Sequence, residues 1–336
     1  MTRPTITALI DTYNYGNFID EAIESVLTQD FPNDSLEILV VDDGSTDDTR
    51  ERVARYGHRV KYIYKPNGGQ ASAFNFGIAR ANGEYVALLD ADDYWLPNKL
   101  EKVTEAFERN PGAGLVYHRF REYLSSVGEL REGTLNHISG DIVRDRKRIL
   151  QYTATQTSGL TFRTSVVRQI LPLNEAMTIQ ADGLLAALVI FLAPVVAIPE
   201  ALAVYRVHGQ NLYYQSQNRV DVERQRRRIN TLRVLLEEMD SWLTRRGFDL
   251  QEPAILAFRR RWRQLYEKEE FLVQPPGRLQ FFIHLVRAMR NMDPCLNWRI
   301  QTVNGLNAIG SLFVGYRNYP KLDSWRLRMK RGIIGG

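Results

Sequence analysis

The chain is poor in the residues from which several function classes are built. It has one cysteine, Cys295, in 336 residues, which excludes an internal disulfide framework and any thiolate-clustered metal site. Its five histidines are too scattered for a spacing-based zinc motif, so a bound metal is expected to be a hard divalent cation held by carboxylates. No low-complexity tract and no internal repeat are present. Met1-Thr2-Arg3-Pro4 runs straight into a strand-like segment with no signal peptide, the pattern of a cytoplasmic protein. One uncharged, largely apolar stretch, Leu184 to Pro199, contains Pro194. A membrane-spanning helix needs roughly 20 apolar residues, and the proline breaks this shorter one, so the stretch is expected to be buried core, a short helix followed by a strand.

What the chain does have is enough length for a well-buried core and two structural units. Its charge is unevenly spread. From Arg219 onward there are 23 Lys and Arg against 12 Asp and Glu, whereas the 218 residues before carry 21 against 27. A mildly acidic body therefore precedes a basic tail, and basic tails suit anionic partners. The expected division is a catalytic domain over 1–215 and a basic helical extension over 216–336.

The first 120 residues read as strand-then-helix units. Thr5–Ile10 alternates, and Ile19, Ala22, Ile23, Val26 and Leu27 keep helical spacing, with Asn17 placed to cap. Leu36–Val41 is a continuous apolar run, as in a strand covered on both faces, ending at a turn whose Ser45 or Thr46 can cap the next helix. Val60–Tyr64, Ala71–Arg80 and Tyr85–Leu89 continue the alternation, and Pro97 suits the first turn of a further helix. Leu115–Tyr117, Leu160–Phe162 and Ala197–Tyr205 read as strands, with a helix from Asp182. This alternation predicts a parallel, doubly wound sheet, in which ligands bind beyond the carboxyl ends of the strands.

Three polar clusters fall at those ends. Asp90-Ala91-Asp92-Asp93 follows Tyr85–Leu89; three carboxylates in four residues repel one another at a partly buried strand end, and a divalent cation relieves that cost. Mg²⁺ or Mn²⁺ takes one or two protein carboxylates and completes its shell with phosphate oxygens and water, so a nucleoside diphosphate is the natural partner. Asp42-Asp43-Gly44-Ser45 offers acceptors for a base or ribose, or a capped turn. In Asp11-Thr12-Tyr13-Asn14, Tyr13 offers an aromatic face to a base, or plain packing.

Taken together, Ile10-Asp11-Thr12-Tyr13-Asn14, Val40–Asp47, Asn75 with Gly77, and Gly83-Glu84-Tyr85 leading to Leu89-Asp90-Ala91-Asp92-Asp93 resemble family 2 glycosyltransferases of the GT-A fold. The order and spacing match over roughly Thr5 to His208. The resemblance implies a Rossmann-like nucleotide-binding sheet with helices on both faces. It also implies an inverting transfer of sugar from a nucleoside diphosphate donor, with a lean toward UDP. By that pattern Thr12, Tyr13 and Asp43 bind the nucleotide, and Asp90, Ala91, Asp92 and Asp93 form the metal and diphosphate motif. Many relatives have proline where Asp11 stands; Asp11 either binds the base edge or shapes the turn. The family places its general base at a helix start in the second half of the domain. Asp182 occupies that place, with Ala181 where a glutamate is common, although an aspartate there is also an ordinary cap. Tyr205-Arg206-Val207-His208 resembles a segment of many relatives in which Arg206 or His208 meets the diphosphate or completes the metal shell. Asn67-Gly68-Gly69-Gln70 either lines the donor pocket or is a turn before a helix.

The acceptor implied is a sugar, glycolipid or glycan hydroxyl, in cell-surface polysaccharide or glycolipid synthesis. A polyprenyl-phosphate sugar synthase of the same fold is the alternative. A dehydrogenase requires a glycine fingerprint after the first strand, and Asp11–Asn17 has only Gly16. A nucleic-acid-binding module leaves the clustered carboxylates of the body unexplained. In the tail, Ile229, Leu232, Leu235, Leu236, Met239, Trp242 and Leu243 form an apolar stripe, and the arginine runs 224–228 and 259–263 read as solvated faces. Residues 278–292 join bulky apolar residues to arginines and a histidine; they suit a membrane interface at the inner face of the plasma membrane, packing on the catalytic domain, or a second subunit.

Overall fold

In the computed structural model, residues 5–134, 136–153, 155–209, 211, 222–274 and 276–290 are described. The chain divides into two compact units, Met1–Arg144 with Gln151–Gln217, and Asp145–Leu150 with Asn218–Gly336.

The first unit begins with strand β1 (Ile6–Thr12), helix α1 (Gly16–Leu27), β2 (Leu36–Asp42), α2 (Thr49–Ala54), β3 (Lys61–Tyr64), α3 (Gln70–Arg80) and β4 (Tyr85–Asp90). It continues through β5 (Tyr94–Trp95), α4 (Lys99–Arg109), β6 (Leu115–Leu124) and β7 (Glu129–Glu132). After α5 (Arg146–Gln151), most of which belongs to the second unit, come β8 (Leu160–Arg163), α6 (Thr164–Val167), α7 (Ala181–Val189) and β9 (Val195–Val207). The strand order is β3-β2-β1-β4-β8-β6-β9-β5, with β7 also beside β6.

The first four strands are parallel, as the alternation predicts. The remainder is a correction: β8 runs antiparallel to both β4 and β6, and β5 antiparallel to β9, while β6 and β9 are parallel. An apolar run buried on both faces looks the same in either direction, so periodicity cannot assign direction there. Ile6, Ala8 and Ile10 of β1, Val40 of β2 and Ala87 and Leu89 of β4 bury one sheet face against Ile19, Ala22, Ile23 and Val26 of α1. Leu184–Pro199 is core as expected: α7 buries Leu184 through Val189, and after Pro194 the chain extends into β9.

Two caps differ from expectation. Helix α1 starts at Gly16, leaving Asn17 exposed inside its first turn. The acceptor for the Gly16 N–H is Asp47 Oδ2 at 2.9 Å, thirty-one residues away. Ser45 and Thr46 do not cap α2. Ser45 Oγ accepts the Asn14 N–H at 2.8 Å, and the Thr46 N–H donates to Asn14 Oδ1 at 2.8 Å, which latches the ends of β1 and β2 together. Pro97 lies two residues ahead of α4, whose cap position is Asn98.

The second unit contains α8 (Val222–Arg245), α9 (Pro253–Val273) and α10 (Arg278–Arg290). Leu232, Leu235, Met239, Trp242 and Leu243 of the apolar stripe are buried, and Pro253 takes the first position of α9 behind the Glu252 cap. The arginine runs are only partly solvated faces. Arg228 reaches the buried Glu269 at 2.9 Å, and Arg259 Nη2 reaches Asp240 at 2.6 Å, so the basic residues tie α8 to α9. In α10, Phe281 packs inward against Phe271, whereas Leu279 and Ile283, one turn apart, are exposed. Residues 291 and 292 of the expected membrane segment lie outside the described residues. No described helix is long and apolar enough to cross a membrane.

Candidate active site

The three polar clusters meet at the carboxyl ends of β1, β2 and β4, which are neighbours in the sheet. Asp11 lies opposite Asp90 in the β1–β4 register, and Thr12 opposite Asp42 in the β1–β2 register. Asp90, Asp92 and Asp93 each bring a carboxylate oxygen within 4.8 Å of the others. Burial raises Asp90 and Asp93 well above the ordinary carboxylate range, with Asp11 adding to the first and Asp92 to the second. Asp11 is pushed up to about 8 by burial and then by the charge of Asp92, and its Oδ1 is enclosed without a partner. An all-oxygen donor set under like-charge strain, with an orphaned carboxyl oxygen beside it, fits a hard divalent cation.

The cluster is held from behind. Asp93 Oδ2 accepts from Ser158 Oγ at 2.6 Å and Oδ1 from the Arg206 N–H at 2.9 Å. Asp92 Oδ2 faces His208 Nε2 at 3.0 Å and accepts from Asn211 Nδ2 at 3.3 Å. The His208 ring lies tilted against Phe18 with centroids 4.5 Å apart, and its Nε2 meets the cluster at Asp92. The Arg206 guanidinium turns into the protein: it donates to the Asp92 carbonyl at 3.0 Å, pairs with Glu21, and lies over Phe18, Tyr94 and Tyr123.

Beside the cluster, Asp43 is buried and accepts three donors: Lys65 Nζ, the Gly68 N–H at 3.0 Å and the Gly69 N–H at 2.6 Å. Asp42 takes the Ser45 N–H at 2.7 Å and the Tyr62 hydroxyl at 2.6 Å. Thr12 Oγ1 is enclosed without a partner, and the Tyr13 ring is 47% exposed at the rim. Ala91 is buried, its N–H on the Asp11 carbonyl at 3.2 Å.

Asp182 stands in the first turn of α7, behind Gln180 at φ 59°. Its Oδ2 accepts from Thr157 Oγ1 at 3.2 Å, and burial raises its pKa against the opposing Gly183 N–H and Thr157 bonds. The Thr157 that binds it adjoins Ser158, whose Oγ donates to Asp93 Oδ2, so one turn reaches both Asp182 and the acidic cluster. Two residues of α3 hold the segment leading to Asp182. Gln70 Oε1 accepts the Ala181 N–H at 3.0 Å, and the Asn75 amide bridges the Leu173 backbone in both directions at 2.7 and 2.9 Å.

Lys65, Ser158, Thr157 and Asn211 were not among the residues expected at the site. Lys65 and Asn211 follow or precede motif residues closely enough to be suspected; the turn at 157–159 carries no local signal.

A mixed sheet whose parallel strands β3-β2-β1-β4 carry acidic residues at adjoining carboxyl ends is the arrangement of a GT-A glycosyltransferase fold, and comparison with known proteins agrees. The glycosyl transferase family 2 model matches residues 7–170. An uncharacterized glycosyltransferase of Haemophilus influenzae is 30% identical over 232 residues, covering 64% of this chain and 70% of its own. One of Nostoc sp. is 34% identical over 219 residues, covering 61% of this chain and 66% of its own. The chain spans 30% of two rickettsial relatives. It belongs to glycosyl transferase family 2. In fold it is similar to Staphylococcus aureus TarS 1–349 in complex with UDP, with TM-score 0.58, 18% identity, and coverage of 99% of this chain and 92% of that one. The mannosyltransferase PcManGT of Pyrobaculum calidifontis, in complex with GDP-Man and Mn²⁺, matches with TM-score 0.54, 18% identity, and coverage of 97% and 85%.

Proposed function

We propose that the chain transfers a sugar from a nucleoside diphosphate sugar, a UDP-sugar first, to an acceptor hydroxyl with inversion, in cell-surface polysaccharide or glycolipid synthesis. The observation that carries this reading is the acidic cluster of Asp90, Asp92 and Asp93 at the carboxyl end of β4, with Ser158 bonded to Asp93 and the adjoining Thr157 bonded to Asp182. Asp92 and Asp93, with Asp90 beside them and His208 against Asp92, would hold Mg²⁺ or Mn²⁺. When bound, such a cation supplies Lewis-acid stabilisation of the departing diphosphate.

The other steps belong to the chain. Tyr13 stacks on the base, and Thr12, Asp11 and Asp43 offer it polar partners. Gly69 brings backbone close to the donor, while Gln70 and Asn75 keep the 173–181 segment in place. Asp182 takes the proton from the acceptor hydroxyl, and its raised pKa makes it the better acceptor near neutral pH. The UDP and GDP-Man complexes of the structural neighbours support a nucleotide donor. The exposed apolar pair of α10, with its arginines, supports contact with an anionic membrane surface on the cytoplasmic side.

The test is a thermal-shift screen of the full chain against UDP, GDP, dTDP and NAD, each with and without Mn²⁺. Stabilisation by one nucleoside diphosphate only with metal is expected. No response to any diphosphate at concentrations far above a plausible Kd would overturn the donor site.

A further inference from the structure

Between the acidic cluster and Asp182 lies a single 3-10 turn, Thr157–Gly159, just ahead of β8. All three of its residues are buried. Ser158 Oγ donates to Asp93 Oδ2 at 2.6 Å and accepts the Asp90 N–H at 3.2 Å. Because the amide can only donate, the hydroxyl proton is committed to Asp93. One residue earlier, Thr157 Oγ1 meets Asp182 Oδ2 at 3.2 Å. Two successive hydroxyls therefore grip two carboxylates that come from the turn after β4 and the start of α7.

The turn itself is anchored on its far side. The Ser158 carbonyl accepts from Trp95 Nε1 at 3.0 Å and from Lys99 Nζ at 3.2 Å. Lys99 is fully buried, with its Nζ 3.4 Å from the centroid of the Trp95 ring. A side chain in place of the Gly159 hydrogen would meet Thr155 at 2.5 Å, so the turn has no room to shift on that side.

We propose that Thr157 and Ser158 are positioning residues that hold the cation-binding carboxylates and Asp182 in one frame, Ser158 setting the cluster and Thr157 setting the general base. This rests on the function proposed above. Hydrogen-bond partners behind metal ligands typically change metal affinity or activity by ~10–100-fold when removed. The two residues act on different carboxylates, so their losses must separate, whereas a merely structural turn would lose everything together.

The experiment uses the full chain. Mn²⁺ affinity is measured by calorimetry in saturating UDP, and turnover as UDP release from UDP-glucose, UDP-galactose and UDP-GlcNAc. Ser158→Ala is expected to weaken Mn²⁺ binding about tenfold or more, with Ser158→Thr restoring part of it. Thr157→Val is expected to keep Mn²⁺ affinity and lower kcat about tenfold or more, with Thr157→Ser restoring it. Wild-type behaviour of both hydroxyl-less variants overturns the proposal, as does equal loss of binding, turnover and melting temperature in both. If the wild-type chain itself shows neither Mn²⁺-dependent UDP binding nor UDP release, the functional reading fails first and this one with it.

Discussion

Asparagine at position 182 keeps the shape of the side chain and removes its capacity to take a proton. Asp182→Asn is expected to bind donor as the wild type does and to lose ~10²–10⁴-fold in kcat, whereas Asp92→Ala loses Mn²⁺-dependent donor binding; calorimetry and UDP release separate the two. Since burial raises Asp182, wild-type kcat should fall as pH drops through a value above the ordinary carboxylate range, because the base becomes protonated there. An acid limb at the ordinary value, or unaltered turnover in Asp182→Asn, would remove the assignment. The carboxylates themselves were legible because three of them at the end of an apolar strand have no cheap local explanation. Their pairings were not: Lys65, Ser158 and Asn211 sit 22, 65 and 119 residues from the carboxylates they bind, and although Lys65 and Asn211 lie near motif residues, no local pattern says which carboxylate each meets.

The start of α3 shows what an element asks of one residue. Gly69 has φ 82°, and a Cβ there would lie 2.5 Å from Thr178 Cα. Gly69→Ala is expected to destabilise the fold by more than ~1 kcal/mol and to weaken UDP binding, since the same residue's N–H holds Asp43; urea unfolding and a UDP titration read both, and wild-type values in both would count against this role. Element existence followed from apolar spacing, which is a short-range property. Caps and strand directions did not, because the Gly16 N–H is satisfied by Asp47 from another loop and β8 pairs antiparallel with its neighbours.

For the molecule as a whole, the buried carboxylates set a pH dependence. Asp11, raised to about 8, and Asp90 and Asp93, also raised, must take up protons on folding when pH exceeds their ordinary values. Their contribution is fully present below about pH 4 and is lost as pH rises, toward 8 in the case of Asp11, at up to about 1.4 kcal/mol per pH unit for each proton taken up. Metal-free protein should therefore lose melting temperature from pH 5 to 8.5, Asp11→Asn should flatten the slope, and Mn²⁺ with UDP should offset it. A melting temperature that rises over this range would contradict the cluster's electrostatics. The basic second unit carries a separate expectation: flotation with phosphatidylglycerol vesicles at low salt, reduced by added salt and by Leu279→Glu with Ile283→Glu. Absence of flotation by the wild type would remove the membrane surface as partner.

The sequence by itself determined the strand-and-helix order of the first 90 residues and the carboxylates at the strand ends, because apolar periodicity and turn chemistry act over a few residues. It also determined the family, through motifs that keep their order from Asp11 to His208. Only the tertiary structure decided which way β8 runs, that Arg206 turns inward to brace Asp92, that Asp43 is held by Lys65 and two backbone amides, and that one buried turn reaches both Asp93 and Asp182. Each of these depends on hydrogen-bonding groups far apart in the chain meeting where water is excluded, where an unpaired polar group is costly enough for the fold to supply a partner.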